Sequence, residues 1–191
     1  MAYKKPKDYD NVRIGSERIL PAGGYVCKIL KAEETESRAG RPMIKVAFDI
    51  TEGEYAGFFR EKFDGRKAAA EDPTEVKWPF NGTKWILLYD NEGGTNRDFK
   101  SFCTALEESG TEVWKKDMLD AAGLKDAKLG VIFRREEHDY MGRFWRTVPV
   151  GFRSVKTIQD GTFNVPEDKP LPAQSTEPAD SFSALEDDIP F

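Results

Sequence analysis

Hydrophobic and polar positions alternate most regularly between Gly23 and Ile50. Ile44, Val46, Phe48 and Ile50 share one parity, while Met43, Lys45, Ala47 and Asp49 share the other. That is the period-two pattern of a strand with one buried face. The run from Gly23 to Ala32 is rich in β-formers and follows the breakers Pro21, Gly23 and Gly24, so it predicts the partner strand of a hairpin. The polar stretch Glu33 to Arg41 is the loop between them, with Arg38, Gly40 and Arg41 suited to meeting something outside the protein. After a turn at Gly53 to Gly57, Phe58 to Phe63 reads as a third antiparallel strand, and the charged stretch 64–79 as a surface excursion. Trp85 to Tyr89 is a short apolar run compatible with strand or buried helix.

Phe99, Phe102, Cys103 and Leu106 then fall at i, i+3, i+4 and i+7, after a cap at Thr95 or Asn96 and before Gly110, which predicts a helix. A shorter helix is expected from Asp117 to Leu124. Strands resume from Ala127 to Phe133, turn through Glu136 to Gly142, and return from Arg143 to Val150, with Phe152 to Ile158 extending or closing the sheet. This order predicts a mainly β fold with a helical insertion. The expected form is an OB-fold-like five-stranded barrel with a helix between strands 3 and 4. It would occupy residues 21–165, after a flexible polar arm over 1–20 and before a disordered, Pro-rich, acidic tail over 166–191. The ligand loops of such a barrel join strands one to two and four to five, here Glu33 to Arg41 and Arg134 to Arg143.

Charge changes the picture only through its distribution. The 191-residue chain has a net charge of -5, which argues against a polyanionic partner. Residues 171–191, however, hold no Lys or Arg but contain Glu177, Asp180, Glu186, Asp187 and Asp188, which leaves residues 1–170 formally neutral. A neutral body can carry a basic stripe. Cys27 and Cys103 sit at apolar-periodic positions without pairing or metal-ligand spacing, as small hydrophobes of a reducing cytosol. No apolar run approaches the roughly 18 residues of a membrane span, so a cytoplasmic protein is expected.

Single strands are held by basic grooves and by aromatic faces on which bases stack. Aromatic residues make up 12% of the chain, several beside charges: Phe58, Phe59 and Arg60; Lys77, Trp78 and Phe80; Tyr140 near Arg143; and Phe144 and Trp145 between Arg143 and Arg146. The candidate nucleic-acid-binding residues are Arg38, Arg41, Lys45, Phe59, Arg60, Arg134, Arg135, Tyr140, Arg143, Trp145 and Arg146. Core packing competes for each aromatic and a solvated face for each arginine. Alternation puts Phe144 and Trp145 on opposite faces, so one should be core and the other a platform. Catalysis finds little support: the single histidine, His138, lies among Glu136, Glu137 and Asp139, where a metal is conceivable but an ordinary hairpin tip is the simpler reading. No phosphate loop, nucleophile elbow or zinc spacing is present, and no cofactor is expected.

The last residues, Asp187-Asp188-Ile189-Pro190-Phe191, resemble the C-terminal tip of bacterial single-stranded-DNA-binding proteins, whose terminal Pro-Phe docks on replication and repair partners. The stretches Leu20 to Ile29, Gly40 to Ile50, Gly53 to Phe59, Phe99 to Ser109 and Asp160 to Pro166 resemble a family of phage and prophage single-stranded-DNA-binding proteins. The resemblance implies an OB-fold and a non-enzymatic, sequence-tolerant protein in a bacterial host cell. Such a protein would coat exposed strands in phage DNA replication or recombination and recruit host or phage proteins through its tip, with homo-oligomers possible. An OB-like interaction module without DNA binding is the alternative.

Overall fold

The computed structural model describes residues 4–5, 18–139 and 142–172. Five strands form one antiparallel sheet in the order β3-β2-β1-β6-β7: β1 (Gly23–Glu36), β2 (Pro42–Ile50), β3 (Thr83–Leu87), β6 (Lys128–Asp139) and β7 (Arg143–Arg153). The fold is mainly β. The period-two reading of β2 holds residue by residue, since Ile44, Val46, Phe48 and Ile50 are all buried and meet Cys27 and Ile29 of β1. Helix α2 (Arg97–Glu108) covers this core with Phe99, Phe102, Cys103 and Leu106. Its N-cap is Asn96, whose side chain accepts from the Asp98 amide at 2.9 Å, so one otherwise orphaned N–H is satisfied. Phe102 meets Phe152 of β7 edge to face, with ring centroids 5.1 Å apart.

Phe58 to Phe63 is not a strand but the start of α1 (Phe58–Ala69). The cause lies ten residues back in β2. Asp49, on the parity expected to be half-wet, is buried, and its carboxylate accepts from the amides of Phe59 at 3.0 Å and Arg60 at 3.2 Å. Those are first-turn N–H groups without intrahelical partners. Gly57 supplies the left-handed entry with φ 76°, and both Phe58 and Phe59 turn into the core. The third strand of the meander is therefore β3, settling the Trp85 run as strand. The helix expected from Asp117 to Leu124 is instead a two-strand ribbon, β4 (Trp114–Lys115) with β5 (Met118–Leu119), followed by a 3-10 turn at Ala122–Leu124. Lys116 and Asp117, with φ of 50° and 62°, form the tight turn that the ribbon needs.

The hairpin arms are longer than their pattern suggested. β1 runs on to Glu36, which shortens the first loop, and β6 runs through Glu136 and His138, so Arg134 to Asp139 are paired strand rather than turn. The sheet stays open. β3 and β7 are its edges, bridged by side chains: Asn81 Nδ2 donates to the Thr147 carbonyl at 2.6 Å and Lys84 Nζ to that of Pro149 at 3.4 Å. Helix α3 (Val155–Gln159) follows β7, where strand or closure was expected. β1 leaves β6 at the Gly23 and Phe133 pair, and residues 167–172 take over that edge: Lys169 donates to the Arg135 carbonyl and accepts from the Glu137 amide, both at 2.9 Å. The first part of the segment expected to be disordered is thus hydrogen-bonded to β6.

Ile158 of α3 and Phe163 lie against glycines of the neighbouring strands β1 and β6. A Cβ on Gly24 would stand 2.6 Å from the Phe163 ring, and one on Gly130 would collide with Ile158 and approach the Arg153 carbonyl at 3.0 Å. Gly130→Ala is expected to cost about 1 to 3 kcal/mol through overpacking. The check is a lower urea midpoint with unchanged slope. Gly151→Ala, with nothing within 4 Å of the added carbon, should leave the midpoint in place.

Candidate nucleic-acid interface

The helical start of α1 builds one wall of a groove. With Phe58 turned inward, Lys62 and Arg66 follow one and two turns later on the same side, and Lys62 Nζ lies 4.8 Å from the centre of the Phe58 ring. β7 is the other wall, with Phe144, Trp145 and Arg146. Between them lies a cleft of about 420 Å³, floored by Leu20, Phe58, Phe59 and Asn81. A second cleft of about 280 Å³ shares Phe58, Phe59, Lys62 and Asn81 with the first and continues to Arg66, Pro79 and Phe80. No carboxylate occurs among the described residues that line the two clefts, whereas Lys62, Arg66 and Arg146 do.

Phe80 links this groove to the outer face of the sheet. Its ring is 54% exposed, lies 5.2 Å from that of Trp85 at a tilt of 33°, and carries the Arg146 guanidinium 4.8 Å from its centre. Trp85, 40% exposed, stands opposite Lys45 in the β2–β3 register. On the arm, Phe144 stacks on His138 at 5.9 Å. Aromatic faces and cations thus run from Lys45 and Trp85 through Phe80 and Arg146 to Phe144. Arg146 Nε is buried with no hydrogen-bond partner, and among the described residues no carboxylate pairs with its guanidinium. A buried donor without an acceptor is costly, and an anionic ligand would relieve it.

Residues 7–78 match a protein family described as a protein of unknown function, DUF669. The match takes in β1, β2 and α1, one wall of the groove, and stops short of Phe80 and β7. No curated protein matches the chain.

The sequence candidates divide sharply. Trp145 and Arg146 line the groove, and Lys45 stands beside Trp85 while paired with Glu33 at 3.1 Å. Arg135 lies 5.0 Å over Trp145 and 3.3 Å from Asp168, and Arg143 bonds the Pro172 carbonyl at 3.4 Å near Glu137. Others serve the fold. Phe59 is 1% exposed and packs on Phe48 and Phe133, so its ring is floor and core, not a stacking face. Arg41 ties the first loop to Tyr89 and Asn91, at 2.7 and 2.9 Å. Arg60 covers Trp78 at 5.1 Å. Arg134 is paired with Glu136; burial alone would push that carboxyl up, but the bond from Arg134, with the charges of Arg134, Lys169 and His138, holds it below its usual range. Arg38 is exposed at the loop tip.

Tyr140 and the tip residues Asp187, Asp188, Ile189, Pro190 and Phe191 lie outside the described residues. Neither Phe144 nor Trp145 is core, contrary to expectation: they are 41% and 38% exposed, because the arm runs past the body and leaves both faces half open. Lys62, Arg66 and Trp85 were missed. Lys62 and Arg66 become neighbours one turn apart only in a helix, since the same spacing in a strand separates them by about 13 Å, and Trp85 was read for its apolar run rather than its register with Lys45.

Alternation along β6 sends Glu136 and His138 to one face and Glu137 and Asp139 to the other. That separates the four residues weighed as a metal site, and no group of three or more potential ligands gathers among the described residues. Both cysteines are free and buried. Burial, with the charge of Asp49 nearby, pushes the Cys27 thiol well up, and burial with Glu107 raises that of Cys103 to about 11. Both remain protonated hydrophobes at neutral pH. Among the described residues, no helix is long and apolar enough to cross a membrane.

Proposed function

We propose that this is a sequence-tolerant, non-enzymatic single-stranded-DNA-binding protein of phage type, which holds the strand along the groove between α1 and β7. One observation carries the reading: a groove lined by cations, with no carboxylate among its described residues, flanked by half-exposed Phe80, Trp85, Phe144 and Trp145. Cations track phosphates and rings accept bases, at roughly 1 to 3 kcal/mol per stacked base. The strand order and the helix before β6 support an OB-type barrel whose β3 and β7 edges are joined by the Asn81 and Lys84 side chains. Fluorescence anisotropy with oligo-dT, an equal-length duplex and an RNA, at two salt concentrations, tests the reading. Oligo-dT should bind far better than duplex, with a log-log salt slope of about -0.7 per phosphate neutralised. Equal affinity for duplex, or no binding at low salt, transfers the function to an interaction module.

In the same reading, the C-terminal tip recruits host or phage replication and recombination proteins. The Phe191 ring fills an apolar pocket, and the neighbouring acids steer encounter. Deleting residues 185–191 should abolish that capture and raise DNA affinity modestly at low salt, because the removed acids no longer compete for the groove's cations. Phe191→Ala should break capture and spare DNA affinity. Unchanged pull-down of the same replication proteins by the truncated chain would reduce the tip to a solubilising tail.

A further inference from the structure

β7 serves two grooves, one at each end. Beyond the aromatic groove at Phe144 to Thr147, the strand's last residues and α2 enclose an open groove of about 730 Å³. α2 lines it with Arg97, Lys100, Ser101, Thr104 and Glu108, spaced i, i+3, i+4, i+7 and i+11 on one helical stripe, and β7 adds Arg153. None of this stripe is needed for the core, which takes Phe99, Phe102, Cys103 and Leu106 from the other side of the helix.

The lining is built for oxyanions. Among the described residues, Arg97, Lys100 and Arg153 face a single acid, Glu108. Neither Arg97 nor Lys100 has an ion-pair partner among the described residues, and Arg153 uses Nη1 on the Phe152 carbonyl at 2.6 Å. Phe152 itself is buried, so the described residues of this groove offer no exposed ring. Cations and hydroxyls without aromatic faces suit backbone phosphates, which position a strand without reading it.

Distance links the two grooves. Arg146 and Arg153 are seven residues apart on one strand, roughly 23 Å at about 3.3 Å per residue. A stacked strand covers that in about seven nucleotides at about 3.4 Å each, within the about 4 to 16 nucleotides that OB-folds occupy. We infer that the groove between α2 and the end of β7 is a second contact for the same single strand, holding phosphates several nucleotides beyond the bases stacked in the aromatic groove. This rests on the single-strand reading above and sets how long a strand must be to use the whole surface.

The test compares wild type with the double variant Arg97→Glu, Lys100→Glu, using the full chain, dT4 and dT20. Both substitutions are at exposed helical positions, and circular dichroism with a urea midpoint confirms folding. The variant should bind dT4 within twofold of wild type, lose about tenfold or more on dT20, and show a dT20 salt slope shallower by about 1.4 for two phosphates. Equal losses at both lengths would mean a general field effect and overturn the inference. So would wild-type affinity for dT20, and so would unaltered dT20 binding accompanied by lost binding of a peptide of residues 173–191, which would make the groove a seat for the acidic C-terminal segment. Failure of wild type to bind dT20 at all removes the single-strand reading itself.

Discussion

Asp49→Ala is expected to destabilise the fold by about 3 kcal/mol or more, the largest stability effect of any single side chain considered. The carboxylate is 7% exposed and accepts from three amides, those of Ile50 at 2.9 Å, Phe59 at 3.0 Å and Arg60 at 3.2 Å. Truncation would strand these donors at about 1 to 3 kcal/mol each for those that water cannot reach. Asp49→Asn should do less harm, because its oxygen still accepts while its NH₂ would face the Arg60 amide, donor against donor. Burial raises the Asp49 pKa above its ordinary value, and the three amides and Arg60 only partly counter it. A raised folded-state pKa contributes stability that is fully present below the unfolded value and is lost as pH rises through the folded one. The stability of wild type relative to Asp49→Asn should therefore decline from acid to neutral pH. Urea midpoints at several pH values check it, and a difference that rises with pH would contradict the assigned direction.

Asp49 also marks where local pattern stops being informative. The alternation of β2 and the i, i+3, i+4, i+7 spacing of α2 were legible because each element carries its own buried face. α1 was not, because adjacent phenylalanines read as β-formers and the cap that makes them helical is a side chain from another element. The ribbon at Trp114 to Leu119 was hidden for a different reason. Its turn places Lys116 and Asp117, not glycine, in the left-handed region. The site shows the same division. Phe59 and Phe80 each have a basic residue nearby in sequence, yet one is core and the other half exposed, since α1 turns Phe59 inward and a separate 3-10 turn, Phe80–Gly82, holds Phe80 at the rim. Charge beside an aromatic selects candidates; only the packing of the neighbouring element decides which ring faces out.

The largest effect on binding is expected from Phe80→Ala with Trp85→Ala, a pair the sequence pattern alone would not have ranked first. Each ring is about half exposed, and they touch each other at 5.2 Å rather than the core. Their loss should move the urea midpoint little. It removes two faces on which bases stack, at roughly 1 to 3 kcal/mol each, so oligo-dT affinity should fall by about 30-fold or more. It also removes the ring beneath Arg146, leaving that guanidinium without the surface that aims it into the groove. The salt slope should change by less than one phosphate's worth, about 0.7, because no charge is deleted. Arg146→Ala should do the reverse, with a shallower slope and a smaller loss at high salt. Tryptophan fluorescence adds a check independent of affinity: oligo-dT should quench the wild type more than it quenches Trp85→Phe, since only half-exposed rings can meet a base. Unchanged dT affinity in the double variant, with a normal urea midpoint, would take the strand off this face of the protein.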